Sequence, residues 1–168
     1  MGFVGFAGVG GNGSRATSVC RRTRSVAFAV APRQIGDDYW IGGDVSEEAI
    51  SELSPKSLML LKTSAEEGVT AEEVQKFCHE KGIDMKWVPV APKMADRELA
   101  DEIVNLLSAQ EKPVLIECSG SVRAGAALSI HMAREKGMSF EEIRDMAVEK
   151  SLAWPDIPPL TKWVSESV

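Results

Sequence analysis

The sequence predicts an α/β protein with three layers, in which helices cover both faces of a mostly parallel sheet of four or five strands. Two observations carry this prediction. From Asp38 onward, short apolar runs alternate with helical patterns of ten or so residues. Strand–helix–strand units of that size close through right-handed crossovers, which lay helices on the sheet. Most helical segments also carry their own start and stop residues. A chain of 168 residues, 44% hydrophobic and 26% charged, is enough for one self-supporting core.

The elements follow in order. Tyr39-Trp40-Ile41 is a short strand ended by Gly42-Gly43. Ser46 caps a helix to Leu53, with Glu47 and Glu48 in its first turn facing the positive end of the helix dipole. Ser57 to Lys62 is a buried strand. Thr70 and Glu73 form a capping box for a helix that runs to about Lys81 and stops at Gly82. Met85 to Val90 is a third strand. Asp96 to Gln110 is a helix with Leu99, Ile103, Leu106 and Leu107 on one face. Pro113 to Cys118 is a fourth strand, and the helix from Val122 to Lys136 ends at Gly137. Ser139 and Glu142 box a further helix to about Leu152. Trp154 to Pro159 is irregular, and Pro159 opens a last short helix. Residues 35–153 therefore form the domain and residues 154–168 a C-terminal tail.

The first 34 residues differ in kind. They hold five arginines, Arg15, Arg21, Arg22, Arg24 and Arg33, and no acidic residue. Rich in Gly, Ser, Thr and Ala, they have the composition of a disordered transit peptide. The opening Met1-Gly2-Phe3-Val4 resembles plastid transit peptides that carry an early Phe, a resemblance that implies a plastid (chloroplast stroma) address, with the mitochondrion as alternative. Gly8 to Gly13 matches G-x-G-x-x-G, but no strand precedes it and no amphipathic helix follows, so a dinucleotide site is not expected. The net charge of −6 leaves the remainder more acidic still, which excludes nucleic acid as a partner, since that affinity rests on Lys and Arg contacts to phosphates. No apolar run approaches the ~20 residues of a membrane span. Cys20, Cys78 and Cys118, with His79 and His131, fit no metal spacing, so neither metal nor cofactor is expected.

Sites in open α/β sheets lie at the carboxyl ends of strands. Here the fourth strand ends in Cys118-Ser119-Gly120-Ser121-Val122-Arg123, a cysteine, a Ser/Gly loop and an arginine that opens a helix. Amides of Ser119, Gly120, Ser121 and Val122 would converge as an anion nest at the helix N-terminus. Arg123 supplies a planar fork for two oxygens of a tetrahedral anion. The same field favours the thiolate of Cys118, a nucleophile. Gly120 is expected to permit the turn. His131, Cys78 and the four tryptophans are expected to pack.

On these residues the chain resembles the protein-tyrosine-phosphatase-like domain of beta-lactamase-hydrolase-like proteins, within the dual-specificity phosphatase superfamily. The resemblance spans roughly residues 35–152. It rests on Tyr39 to Glu48, on Leu60-Leu61-Lys62, on Trp87-Val88-Pro89-Val90 and on the signature Pro113 to Ala124. It implies a cysteine-phosphatase-like fold, Cys118 and Arg123 as catalytic residues, residues 119–122 as the phosphate-binding loop, and a phosphorylated small molecule or protein as partner. The family's His before the cysteine is Glu117 here, its hydroxyl residue after the arginine is Ala124, its second-strand Arg is Lys62 and its Gln is Asp44. For the general acid, Asp96 is the first candidate, against a role as helix cap, and Asp44 the second.

Three functions are compatible with this pattern. The first is hydrolysis of phosphate esters through a cysteinyl phosphate. The second is a catalytically impaired pseudophosphatase that acts as a binding module in the plastid, favoured by Glu117 and Ala124. The third is a rhodanese-like sulfurtransferase with a persulfide on Cys118, disfavoured by the Gly42-Gly43-Asp44 and Val88-Pro89-Val90 elements.

Overall fold

The computed structural model describes residues 1–2, 30–66 and 68–168. Its sheet has five strands: β1 (Val30–Ile35), β2 (Tyr39–Gly43), β3 (Ser57–Leu60), β4 (Asp84–Trp87) and β5 (Val114–Cys118), in the order β1-β2-β5-β3-β4. Only β1 runs antiparallel, against β2; the other three pairings are parallel. The strand that ends in Cys118 is thus central, and β3 and β5 are buried throughout. Strands covered on both faces read as continuous apolar runs, and in β5 the single charged interruption is Glu117.

The helices are α1 (Glu47–Leu53), α2 (Ala71–Lys81), α3 (Arg97–Ala109), α4 (Val122–Lys136), α5 (Phe140–Glu149) and α6 (Pro158–Ser167), with a 3-10 turn at Trp154–Asp156. The expected caps are made. Ser46 accepts from Ala49 N, and both capping boxes, Thr70–Glu73 and Ser139–Glu142, are complete. Gly82 and Gly137 end their helices at φ 71° and 64°, a region that costs glycine nothing.

Alternation along β5 divides the core. Val114, Ile116 and Cys118 join the large cluster with Ile41, Met59, Ile103 and α4. Leu115 joins Ile50, Leu58, Leu60, Val74, Phe77 and Cys78 under α1 and α2. The sheet is therefore covered on both faces, as predicted. No helix of the described residues is long and apolar enough to cross a membrane.

Two boundaries differ from expectation. The sheet begins at Val30, so residues 30–34 belong to the fold rather than to the leader. Pro32 and Arg33 disguise this strand. An edge strand tolerates proline because one row of its amides needs no partner. Arg33 Nη1 also donates to the carbonyls of Lys150 (3.3 Å) and Ser151 (3.1 Å), tying the hairpin to the end of α5. The transit-peptide assignment itself falls mainly on residues 3–29, outside the described residues. At the other end, residues 154–168 are not an appendage. Trp154, Leu160, Trp163 and Val164 are fully buried in the large cluster. Pro158 and Pro159 start α6 rather than break it, because the first helical positions lack an amide partner anyway. Trp154 Nε1 donates to Ser129 Oγ (3.0 Å) and Trp163 Nε1 to the Asp96 carbonyl (2.7 Å), so both buried indoles are satisfied.

Candidate functional site

Cys118 ends β5 at the carboxyl edge of the sheet and is 1% exposed. Its carbonyl accepts from Asp44 N at 2.9 Å, which pins the loop to the end of β2. Ser119, Gly120 and Ser121 then turn the chain into α4. The left-handed residue of this turn is Ser121, at φ 59°, while Gly120 is not left-handed and has open space where a Cβ would stand. The glycine the turn depends on lies in β2. A Cβ on Gly43 would sit 2.9 Å from Ser121 N and 3.0 Å from Gly120 Cα, so only glycine lets the loop close on the strand. Ser121 caps α4 without a side-chain hydrogen bond. The first amides of α4 thus stay available to an anion.

Arg123 lies in the first turn of α4 and is 8% exposed. Nη1 donates to Glu66 Oε1 (2.7 Å) and to the Val90 carbonyl (2.9 Å), with the Leu61 carbonyl at 3.4 Å. Nη2 donates to Glu66 Oε2 and to Ser119 Oγ (2.8 Å). Burial alone would lower the Arg123 pKa. The hydrogen bonds to Glu66 first, and then the nearness of Cys118 and of the Glu66 charge, more than reverse this and raise it. Burial likewise works against the Glu66 charge, but Arg123, the Thr63 amide and the Ser119 and Thr63 hydroxyls hold its carboxyl well below the usual carboxylate range. Glu66 is the site residue that sequence reasoning left without a role. A signal was present: Thr63 and Glu66 repeat the three-residue spacing of the two capping boxes, and Thr63 N and Oγ1 both donate to Glu66 Oε1, although no helix starts there.

Glu117 is buried, 4% exposed, with Oε1 accepting from Val45 N (3.1 Å) and Oε2 without a partner in the described structure. Burial pushes its carboxyl up to about 7, with Asp44 adding to the rise and Val45 and Lys62 opposing it. Alternation along β5 turns it from the Cys118 side toward α2. There it adds to the burial that pushes the Cys78 thiol up to about 11. Cys78 is accordingly an inert core thiol.

The two acid candidates are engaged elsewhere. Asp96 Oδ1 caps α3 by accepting from Leu99 N at 2.9 Å, and among the described residues no hydrogen bond joins it to Cys118 or Arg123. Asp44, at φ 46°, pairs with the buried Lys62 at 2.6 Å. Ala124 is buried against the core and brings no hydroxyl. Val122 packs half-buried at the cluster edge. His131 hydrogen-bonds Tyr39 Oη at 2.7 Å near the start of β2, the end opposite the loop, and burial lowers its pKa.

The fold and this loop define the class: a protein-tyrosine-phosphatase-like cysteine phosphatase fold. No protein-family model matches the chain, and no curated protein does so by sequence. Solved structures do. A DUF442 protein of Shewanella putrefaciens superposes with a TM-score of 0.64 at 17% identity, covering 82% of this chain and 90% of that one. P. aeruginosa TpbA gives 0.67 at 14% identity, covering 87% and 94%. The core catalytic domain of the PP-IP phosphatase SIW14 from S. cerevisiae, in complex with citrate, gives 0.63 at 16% identity, covering 82% and 85%. Similarity at this level of identity defines the fold.

Proposed function

We propose that the chain is a cysteine-dependent phosphate-ester hydrolase of the protein-tyrosine-phosphatase superfamily, with a domain like that of beta-lactamase-hydrolase-like proteins and a plastid address. The observation that carries the reading is the arrangement of Cys118, the loop 119–122 and Arg123 at the N-terminus of α4, closed by Gly43. The Cys118 thiolate attacks phosphorus, and the ester oxygen leaves with the bonding pair. Loop amides and Arg123 stabilise the equatorial oxygens as charge develops. Water then attacks the cysteinyl phosphate, releasing phosphate and the thiolate. A structure of a TpbA variant holds pTyr, in keeping with a phosphorylated small molecule or protein as substrate here.

Two features favour a weaker enzyme or a binding module as the second reading. The buried cations of the site, Lys62 and Arg123, each hold a carboxylate partner, Asp44 and Glu66. Asp96 and Asp44, the acid candidates, are committed to a helix cap and an ion pair. Without a proton donor the leaving group must depart as an anion, so aryl phosphates should turn over far better than alkyl phosphates.

Hydrolysis of an aryl phosphate by the wild type, abolished in Cys118→Ser, tests the enzyme reading. Tungstate binding without turnover supports the binding module. Sulfur transfer from thiosulfate to cyanide, lost in Cys118→Ser, would identify the sulfurtransferase instead.

A further inference from the structure

The sheet has two edges, β1 and β4, and they are built differently. An edge strand invites pairing with another chain unless something blunts it. In β1 the pairing shifts register between Val30 and Arg33, Pro32 lies in that interval, and Arg33 is tied to the end of α5. In β4 the pairing with β3 runs unbroken from Asp84 to Trp87, without proline or bulge, and among the described residues no strand pairs with its outer side. Asp84 N donates to the Lys56 carbonyl (3.1 Å) and Val88 N to the Leu60 carbonyl (2.9 Å), both toward β3. Alternation puts Lys86 with them, so the N–H and C=O groups of Met85 and Trp87 point outward. Pro89 has no amide, and the open edge ends there. The side chains divide by face. Ile83 and Met85 pack against the cluster under α1 and α2, and alternation sends Trp87 the same way. Trp87 is 42% exposed, yet the Lys62 carbonyl holds its Nε1 at 2.7 Å. A fixed, half-open indole is a side chain that anchors interfaces. Beside it, Ala71, Glu72, Gln75, Met85 and Trp87 line a cavity of about 90 Å³. On the other face stand Asp84 and Lys86, about half exposed and paired with each other at 3.0 Å.

We propose that β4 is a homodimer surface, across which two copies of this chain pair antiparallel about a two-fold axis passing between their Met85 residues. A contact of this symmetry sets residue i against residue j and j against i. In this register each Met85 amide donates to the Met85 carbonyl of the second copy. Each Asp84 lies opposite Lys86 of the second copy, and opposite charges that face each other across a ladder attract. Each Trp87 lies opposite Ile83 of the second copy, which adds apolar contact on the α2 face. The neighbouring register, with the axis at Lys86, sets lysine against lysine and is disfavoured. The charges and apolar residues of this edge thus complement the same edge running the other way, and the occupant is a second copy of the chain.

Sedimentation equilibrium of the full chain over a range of concentrations tests this. The wild type should associate to a dimer, and its Met85 amide should exchange more slowly with solvent deuterium as concentration rises, a readout that needs no variant. Asp84→Lys leaves lysines facing each other across the pair, and Lys86→Glu leaves carboxylates facing each other. Each variant alone should dimerise more weakly by roughly tenfold, since two favourable pairs become two unfavourable ones. Mixed in equal amounts, the two variants set opposite charges across the ladder again in both places, and the dimer should return. Both positions are exposed, and far-ultraviolet circular dichroism checks that each variant is folded. A wild type that stays monomeric, with Met85 exchange independent of concentration, would overturn the proposal and leave the edge to a strand of another protein. A dimer unchanged by both substitutions, or a mixture of folded variants as weak as its components, would place the contact elsewhere and overturn it too.

Discussion

Glu117 stands directly before the nucleophile, and its environment has a measurable consequence. Its carboxyl is pushed from an ordinary 4.5 up to about 7, chiefly by burial. A raised carboxyl means that the folded state holds a proton that the unfolded chain has already released. Stability is therefore full below about pH 4.5, falls as pH rises toward 7, and levels off above. Relative to Glu117→Gln, the wild type should lose on the order of 2–3 kcal/mol between pH 4.5 and 8. Urea midpoints of both proteins at the two pH values check this, and parallel pH profiles would contradict it. Gly43 is the second telling residue. Gly43→Ala should push the Ser121 amide away, costing roughly 1–3 kcal/mol and weakening tungstate binding, as denaturant melts and titration would show. At this scale Cys118 and Arg123 were legible, because a thiol and an arginine at fixed spacing between strand and helix have few other uses. The turn glycine was not: Gly120 looked decisive, yet the close approach falls on Gly43, a residue remote in sequence. Glu66 was hidden for the same reason, since pairing across 57 residues leaves no local pattern beyond Thr63.

The elements show where local signals suffice and where they fail. Helices α1, α2, α3 and α5 begin at a Ser, Thr or Asp cap whose side chain accepts from the helix, and each was readable. Strand β1 was not, since its pairing with β2 depends on the partner rather than on its own alternation. Its role is nevertheless concrete: Ile35 is buried and Arg33 binds the end of α5. Removing residues 1–35 should lower the melting temperature by about 5–10 °C relative to removing residues 1–29, the scale set by roughly 2–3 kcal/mol for a buried side chain and its ladder. Equal melting temperatures would show that β1 adds nothing. The tail makes the opposite point. Its prolines suggested an irregular tail with one short helix, but its buried residues repeat as a helical face at Leu160, Trp163, Val164 and Ser167. Ending the chain at Ala153 should abolish cooperative unfolding, because it opens the cavity that Trp154 and Trp163 fill.

At the scale of the molecule, the sheet order explains why the site lies where it does. Placing β5 between β2 and β3 brings three turns to the end of one strand: Gly43-Asp44 from β2, Thr63–Glu66 from β3 and Val90 from the segment after β4. Each touches the loop or its arginine. Fold class could be inferred from patterning, whereas the central place of β5 and this convergence are properties of topology alone. Of the two cysteines among the described residues, Cys118 lies at this convergence, whereas Cys78, on the α2 side, is held protonated to about 11. The most direct test of an oxyanion site is therefore the alkylation of Cys118 by iodoacetamide at pH 7, followed by peptide mass spectrometry, with and without tungstate. The structure predicts that Cys118 reacts faster than Cys78 and that tungstate protects it, with protection lost in Arg123→Lys, where the charge remains but the fork does not. Alkylation of Cys118 at the same rate with and without tungstate would contradict the account.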